Sequence, residues 1–195
     1  MIAIEYQGQT LDQIYKRYDP SIVDKALARS KNRVMDKSAS ALNKKLREKY
    51  YLLARDISKT TDKRRAVASK KNDAILEYIG ARLPLSLFKP SNKNVRIVSK
   101  KTGKTIRRKG VTVRIKKGDG RKLIKSIPAF LTKGGQKVSY RRWEGERESY
   151  ATPTIISVPE MIEVRAQLKE FDLVVSREFQ PEFESNMNFY LGKVK

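Results

Sequence analysis

The chain has 195 residues, enough for one domain with or without extended arms. Charged residues reach 33% against 39% hydrophobic, so its core is modest. Forty-four Lys and Arg against 21 Asp and Glu leave a formal charge of +23, which calls for a polyanionic partner, nucleic acid being the commonest. No apolar run nears the ~20 residues of a membrane span, and Met1-Ile2-Ala3-Ile4-Glu5 lacks the pattern of a signal peptide.

After an N-terminal arm (1–18), Asp19-Pro20 predicts a helix start, because Asp caps and Pro at the first helical position loses only an orphan amide. Val23, Leu27, Ser30, Val34 and Ala41 carry one long helix to about Leu53. Its small face (Ala26, Ala28, Ser38, Ala39, Ser40, Ala41) suits packing on a sheet, and its other face carries Lys25, Arg29, Arg33, Lys37, Lys44 and Lys45. Asp62 is a candidate cap for a second short helix to about Lys70, which closes a basic helical region, 19–71.

From 73 to 158 the periodicity becomes that of strands: Ile75–Ile79, the proline-bearing edge Leu83–Phe88, Val95–Val98 and Thr105-Ile106 around a turn, then Val111–Lys116. Leu123-Ile124, Ile127–Leu131, Val138–Trp143 and Thr154–Val158 follow. Pro159 opens the last region, 159–195, where Met161, Val164, Leu168, Phe171, Val175 and Phe179 form an apolar stripe. Pro181 is expected to break or kink that helix before a final short one through Phe183, Met187 and Leu191. The class is α+β in a single domain, with an antiparallel sheet of about four to six strands covered on one face by two long helices.

The charge is uneven. Residues 16–71 hold 18 basic and 6 acidic side chains, 89–125 hold 15 and 1, and 144–190 hold 4 and 10. That polarity suits head-to-tail contact between copies through Glu163, Glu170, Asp172, Phe179, Glu182, Phe183 and Glu184, or else a clamp within one chain. Within the basic hairpin region 89–125, the candidate phosphate contacts are Lys100, Lys101, Lys104, Arg107, Arg108, Lys109, Lys116, Lys117, Arg121 and Lys122. A solvated loop is the plainer reading of such a run. Tyr140 and Trp143 beside Arg141 and Arg142 suit stacking on bases, though alternating aromatics in a strand are more often core.

Catalytic signals are missing. Without His or Cys there is no imidazole base, thiolate nucleophile or sulfur-ligated zinc. Gly118-Asp119-Gly120 is no phosphate-binding loop, and no Asp/Glu-x-Lys triplet marks a carboxylate-metal nuclease. The expectation is a non-enzyme with no cofactor or metal.

Several stretches resemble the prophage minor tail protein Z family, the tail completion proteins. They are Ala26-Leu27 to Asn32-Arg33, Leu83-Pro84-Leu85, Gly110–Gly118, Ile127-Pro128-Ala129-Phe130, and Ile155-Ile156-Ser157-Val158-Pro159-Glu160-Met161, together spanning most of 20–180. The family usually has a Gly between that Pro and the Ala-Phe pair, absent here. The resemblance implies a structural part of the phage virion, made in the host cytoplasm and placed at the head-tail junction (the neck) of the tail. It also implies a ring of copies, a hexamer among the sizes, beside tail terminator, tail tube and head–tail connector proteins, with DNA passing through and no membrane partner. The alternative from composition is a monomeric ribosomal- or nucleoid-type nucleic-acid-binding protein.

Overall fold

The computed structural model of the protein describes residues 5–98, 102–124, 129–132, 138–144, 147–162 and 165–193. The chain forms two compact units. The first is Met1–Lys45, Ser58–Ile79 and Ile162–Lys195; the second is Leu46–Ile57 with Gly80–Met161.

The first unit is built on two long helices. Its entry is a small hairpin, β1 (Glu5–Tyr6) with β2 (Gln9–Thr10), followed by α1 (Leu11–Arg17). Helix α2 (Pro20–Lys49) starts where Asp19 and Pro20 predict: Ser21 N–H donates to Asp19 Oδ1 at 2.7 Å, and Val23 N–H to the Asp19 carbonyl at 3.2 Å. Val23, Ala26, Ser30, Val34, Ser38 and Ala39 are buried at helical spacing. Within the unit this small-residue stripe meets a helix, not the sheet expected. Phe179, Phe183 and Met187 of α5 (Arg165–Leu191) pack with Val23, Ala26, Val34, Ile14 and Tyr6 in one core. The small side chains of α2 leave room that the large ones of α5 fill. A buried polar pair sits in that seam: Asn186 Nδ2 donates to Ser30 Oγ at 2.9 Å, and Ser30 Oγ donates to the Ala26 carbonyl at 2.7 Å.

Helix α5 runs through Pro181 without a break, against the expectation of two helices. Phe179 and Phe183, on either side of the proline, are both in the core, so packing outweighs the lost backbone hydrogen bond. The expected helix from Asp62 is instead β3 (Thr61–Arg64), antiparallel to β4 (Ile75–Tyr78), with a 3₁₀ turn at Ala68–Lys70 between them. Arg64 is the reason the pairing is tolerated. Asp62 and Glu77 stand opposite each other, and Arg64 reaches Glu77 at 3.0 Å and Asp62 at 3.5 Å.

The second unit holds the other strands. A long hairpin joins β5 (Ser91–Val98) to β6 (Thr105–Val113), in register from Ser91↔Thr112 to Val98↔Thr105, and β7 (Lys122–Leu123) adds to the far side of β6. A second sheet has the order β10–β9–β8, from β8 (Ala129–Leu131), β9 (Val138–Glu144) and β10 (Arg147–Ala151). The fold is therefore α+β, but its described strands fall into two sheets of three and two of two, not one sheet of four to six. The expected strands at Leu83–Phe88 and Thr154–Val158 reduce to a bridge between Pro84 and Thr154 and a 3₁₀ turn, Leu85–Leu87. Helix α3 (Ala54–Ser58) follows the end of α2. Short α4 (Val158–Ile162) opens on a capping box: Ser157 N–H donates to Glu160 Oε2 at 2.7 Å, and Glu160 N–H to Ser157 Oγ at 3.4 Å.

Candidate nucleic-acid interface

The two units differ sharply in charge. The second carries 24 basic and 7 acidic side chains, a net +17 of the chain's +23; the first carries 20 and 14, a net +6. They differ as much in how those charges are met.

In the first unit several of the bases have acids beside them. Lys37 reaches Glu178 at 2.8 Å and Glu182 at 2.7 Å, and Arg33 reaches Glu182 at 3.0 Å. Asp36 takes Lys63 at 2.7 Å and Arg65 at 3.1 Å, Asp73 takes Lys31 at 2.6 Å, and Asp24 takes Lys71 at 3.5 Å. The hydrogen bond from Lys37 holds the Glu182 carboxyl below its usual range, and the one from Lys63 does the same for Asp36. Glu178 and Glu182 of the acidic stretch near the C-terminus thus engage Arg33 and Lys37 of α2 within the same chain.

In the second unit one surface gathers cations with few acids. The end of α2 is tied to the segment after β6 by Lys117 N–H donating to the Lys49 carbonyl at 2.8 Å and Tyr51 N–H to the Ile115 carbonyl at 3.0 Å. The segment before β5 is tied in as well: Arg114 N–H donates to the Phe88 carbonyl at 2.9 Å, and Arg121 Nη1 to the Lys89 carbonyl at 3.1 Å. The half-buried Tyr51 ring results with two ammonium groups against it, Lys89 Nζ at 4.9 Å and Lys117 Nζ at 6.0 Å from its centre. Lys89 sits at φ +45°, a left-handed backbone that a lysine adopts only where its surroundings impose it. Among the described residues, no carboxylate lies within ion-pair distance of Lys89, Lys116, Lys117 or Arg121.

The hairpin adds a like-charge contact. Arg96 of β5 stands directly opposite Arg107 of β6, and both are exposed. Two cations in that position destabilise a ladder unless an anion joins them.

Of the phosphate contacts expected from the sequence, Lys116, Lys117 and Arg121 come together on the Tyr51 surface, with Lys116 in a bridge to Tyr50. Lys104 and Arg107 are exposed on the hairpin. Arg108 and Lys109 lie on β6, and their side chains are outside the described residues, as are Lys100 and Lys101 altogether. Lys122 pairs with Asp119 at 3.1 Å, the one acid of the region, and both side chains are exposed. Sequence reasoning missed Tyr51, Lys89 and Arg96. Lys89 and Arg96 lie inside the basic block and were readable from it; Tyr51 lies 38 positions before Lys89, and nothing local announces it.

The expected contacts between copies divide. Phe183 is 0% exposed and Phe179 8%, so both belong to the core of their own unit, a correction to their assignment as contact residues. Glu182 is engaged by Arg33 and Lys37. Asp172 and Glu184 are exposed, Glu170 is half-buried, and Glu163 lies outside the described residues. Tyr140 is half-buried, and the side chains of Arg141, Arg142 and Trp143 are outside the described residues.

Among the described residues, no group of three or more acidic side chains is gathered to hold a metal ion, and no helix is long and apolar enough to cross a membrane. A cavity of about 220 Å³ in the first unit is lined by Val34, Met35, Leu76, Phe171 and Phe179, with the paired Lys31 and Asp73 as its charged members. No protein-family model matches the chain, no curated protein matches it, and no solved structure matches it.

Proposed function

We infer that the chain is a non-catalytic structural protein that lies against nucleic acid, using its second unit as a phosphate-contacting face indifferent to sequence. The observation that carries this reading is the +17 concentrated in that unit, with Lys89, Lys116, Lys117 and Arg121 without carboxylate partners among the described residues. Lysines and arginines spread over a surface neutralise phosphates and release counterions, so affinity falls steeply with salt. The setting we propose is the neck end of a phage tail, as a tail completion protein beside the channel for DNA. That part rests on the residue patterns shared with the minor tail protein Z family and on the excess of positive charge.

Purified protein should bind mixed-sequence DNA duplexes at 50 mM salt, with log affinity falling linearly in log salt and no dependence on sequence. Equal affinity at 50 and 200 mM salt would remove electrostatic contact. Plasmid incubated with the protein and magnesium or manganese should stay intact; nicking would make it a nuclease. Electron microscopy of the assembled particle places the chain, and density away from the head-proximal end of the tail would overturn the setting.

One observation favours a second reading, a nucleic-acid-binding protein that works as a monomer. Glu178 and Glu182 are engaged by bases of their own chain, which weakens the case for head-to-tail packing by charge. Light scattering with and without tail proteins separates the two, since the monomer gains no mass on mixing.

A further inference from the structure

The geometry points to a discrete phosphate-holding site on the second unit, made by Lys89, Lys117 and Arg121 around the Tyr51 ring, as the anchor of the nucleic-acid contact. It rests on the function proposed above and goes further: it says which few of the unit's 24 basic side chains hold the backbone in place and which only attract it.

Two features single out this surface. The segments that bear its cations are held by hydrogen bonds to the backbone. Arg121 reaches the carbonyl of Lys89, and Lys117 is held through its amide to Lys49, so the segments bearing the charges do not need to be ordered on binding. Its charges are also unrelieved. Lys89 and Lys117 approach the same ring, so their ammonium groups are no further apart than the sum of 4.9 and 6.0 Å, a separation close to the Debye length at 0.1 M salt. Across the described residues of the unit, the one acid of the region, Asp119, faces Lys122 instead. The left-handed backbone at Lys89, which Gln7 and Lys71 in the first unit share, is a local strain at the site. The ring has a role of its own: its π-system draws both ammonium groups to one side chain, and a phosphate oxygen brought to that side chain is attracted to both. Tyr51 is thus a positioning residue, and the ligand group is the phosphodiester of a nucleic-acid backbone.

The test uses the full-length protein, a fluorescein-labelled mixed-sequence DNA duplex and a salt series from 50 to 200 mM. The double variant Lys89→Gln, Lys117→Gln should shallow the log–log salt slope by about 2 and weaken binding at least tenfold at 50 mM salt. The control variant Lys31→Gln, Lys37→Gln removes the same two charges from the first unit, where both are paired, and should keep the wild-type slope. Tyr51→Phe keeps the ring and should bind as the wild type does; Tyr51→Leu should weaken binding while leaving the slope near its wild-type value. Circular dichroism melts verify that each variant folds. A site variant that keeps the wild-type slope, or a control that loses as much, overturns the anchor while leaving the wider function standing. Wild-type protein that fails to bind DNA at 50 mM salt overturns both.

Discussion

Glu182 accepts from Arg33 and Lys37 at once, and Asp36 accepts from Lys63 and Arg65. Hydrogen bonds from these bases lower the carboxyl pKa values of Glu182, Glu178 and Asp36, from ordinary values of 4.5 for Glu and 3.8 for Asp. A carboxyl whose folded pKa is depressed adds stability above its unfolded value and loses it as pH falls through the folded one. The first unit should therefore lose melting temperature as pH drops below about 4.5. Glu182→Gln should start lower at neutral pH and show a flatter acid limb; an unchanged acid limb in thermal melts would show that these pairs do not bias folding. Lys37 has a raised pKa through its hydrogen bond to Glu178, so its share persists until strongly alkaline pH.

A second single residue, Gly80, is constrained by space alone. A β-carbon there would stand 2.8 Å from Pro159 Cγ and 3.0 Å from Cδ, and a proline ring has little freedom to move aside. Gly80→Ala is expected to destabilise the protein by about 1–3 kcal/mol in urea unfolding. Gly120→Ala, where nothing lies within 4 Å, should stay within about 0.5 kcal/mol of wild type. Equal effects at both sites would argue against crowding at Pro159.

At the scale of elements, α5 shows a local rule overridden. Proline lacks an amide and its ring presses on the carbonyl four residues back, so Pro181 predicted a break or a kink, and the break does not occur. The helix continues because Phe179, Phe183 and Met187 all enter the core with α2, an arrangement a break would disrupt. The proline remains a local cost. Pro181→Ala should raise stability by about 1–3 kcal/mol and strengthen the helical signal; a lower midpoint in urea would mean the ring itself is needed.

The elements that the sequence predicted well are those with a signal inside one segment: the Asp19-Pro20 start of α2, the turn between Val95–Val98 and Thr105-Ile106, the strand at Ile75–Tyr78; the separate strand expected at Val111–Lys116 is instead the end of β6, to Val113. What escaped depends on partners far along the chain. Thr61–Arg64 is a strand because Ile75–Tyr78 lies beside it, and the small face of α2 takes a helix because α5 carries Phe183 and Met187. The candidate site divides the same way. Lys116, Lys117 and Arg121 were readable from a run of charge, whereas Tyr51 joins them only through the hydrogen bonds that tie the end of α2 to the segment after β6.

At the scale of the molecule, composition indicated the size of the charge surplus and its blocks, and folding decided where it stays uncompensated. On α2, Arg33 and Lys37 are met by acids of α5; in the block at 89–125, among the described residues, the ion pair is that of Lys122 with Asp119. A net charge per segment does not foretell this, because it takes no account of which helix face turns toward which.

That lopsided pairing gives one ion two opposite effects. Dissolved electrolyte competes with phosphates for the second unit and so loosens any complex with DNA. The same electrolyte shortens the reach of the repulsion that keeps bare copies apart, from about 10 Å at 0.1 M to about 3 Å at 1 M. In sedimentation runs without DNA, crowding of copies should accordingly become easier as ions are added, and dispersal by added ions would mean that copies are joined by opposite charges instead. A short polyanion would do at low ionic strength what brine does at high, acting as mortar between bricks that otherwise push each other away.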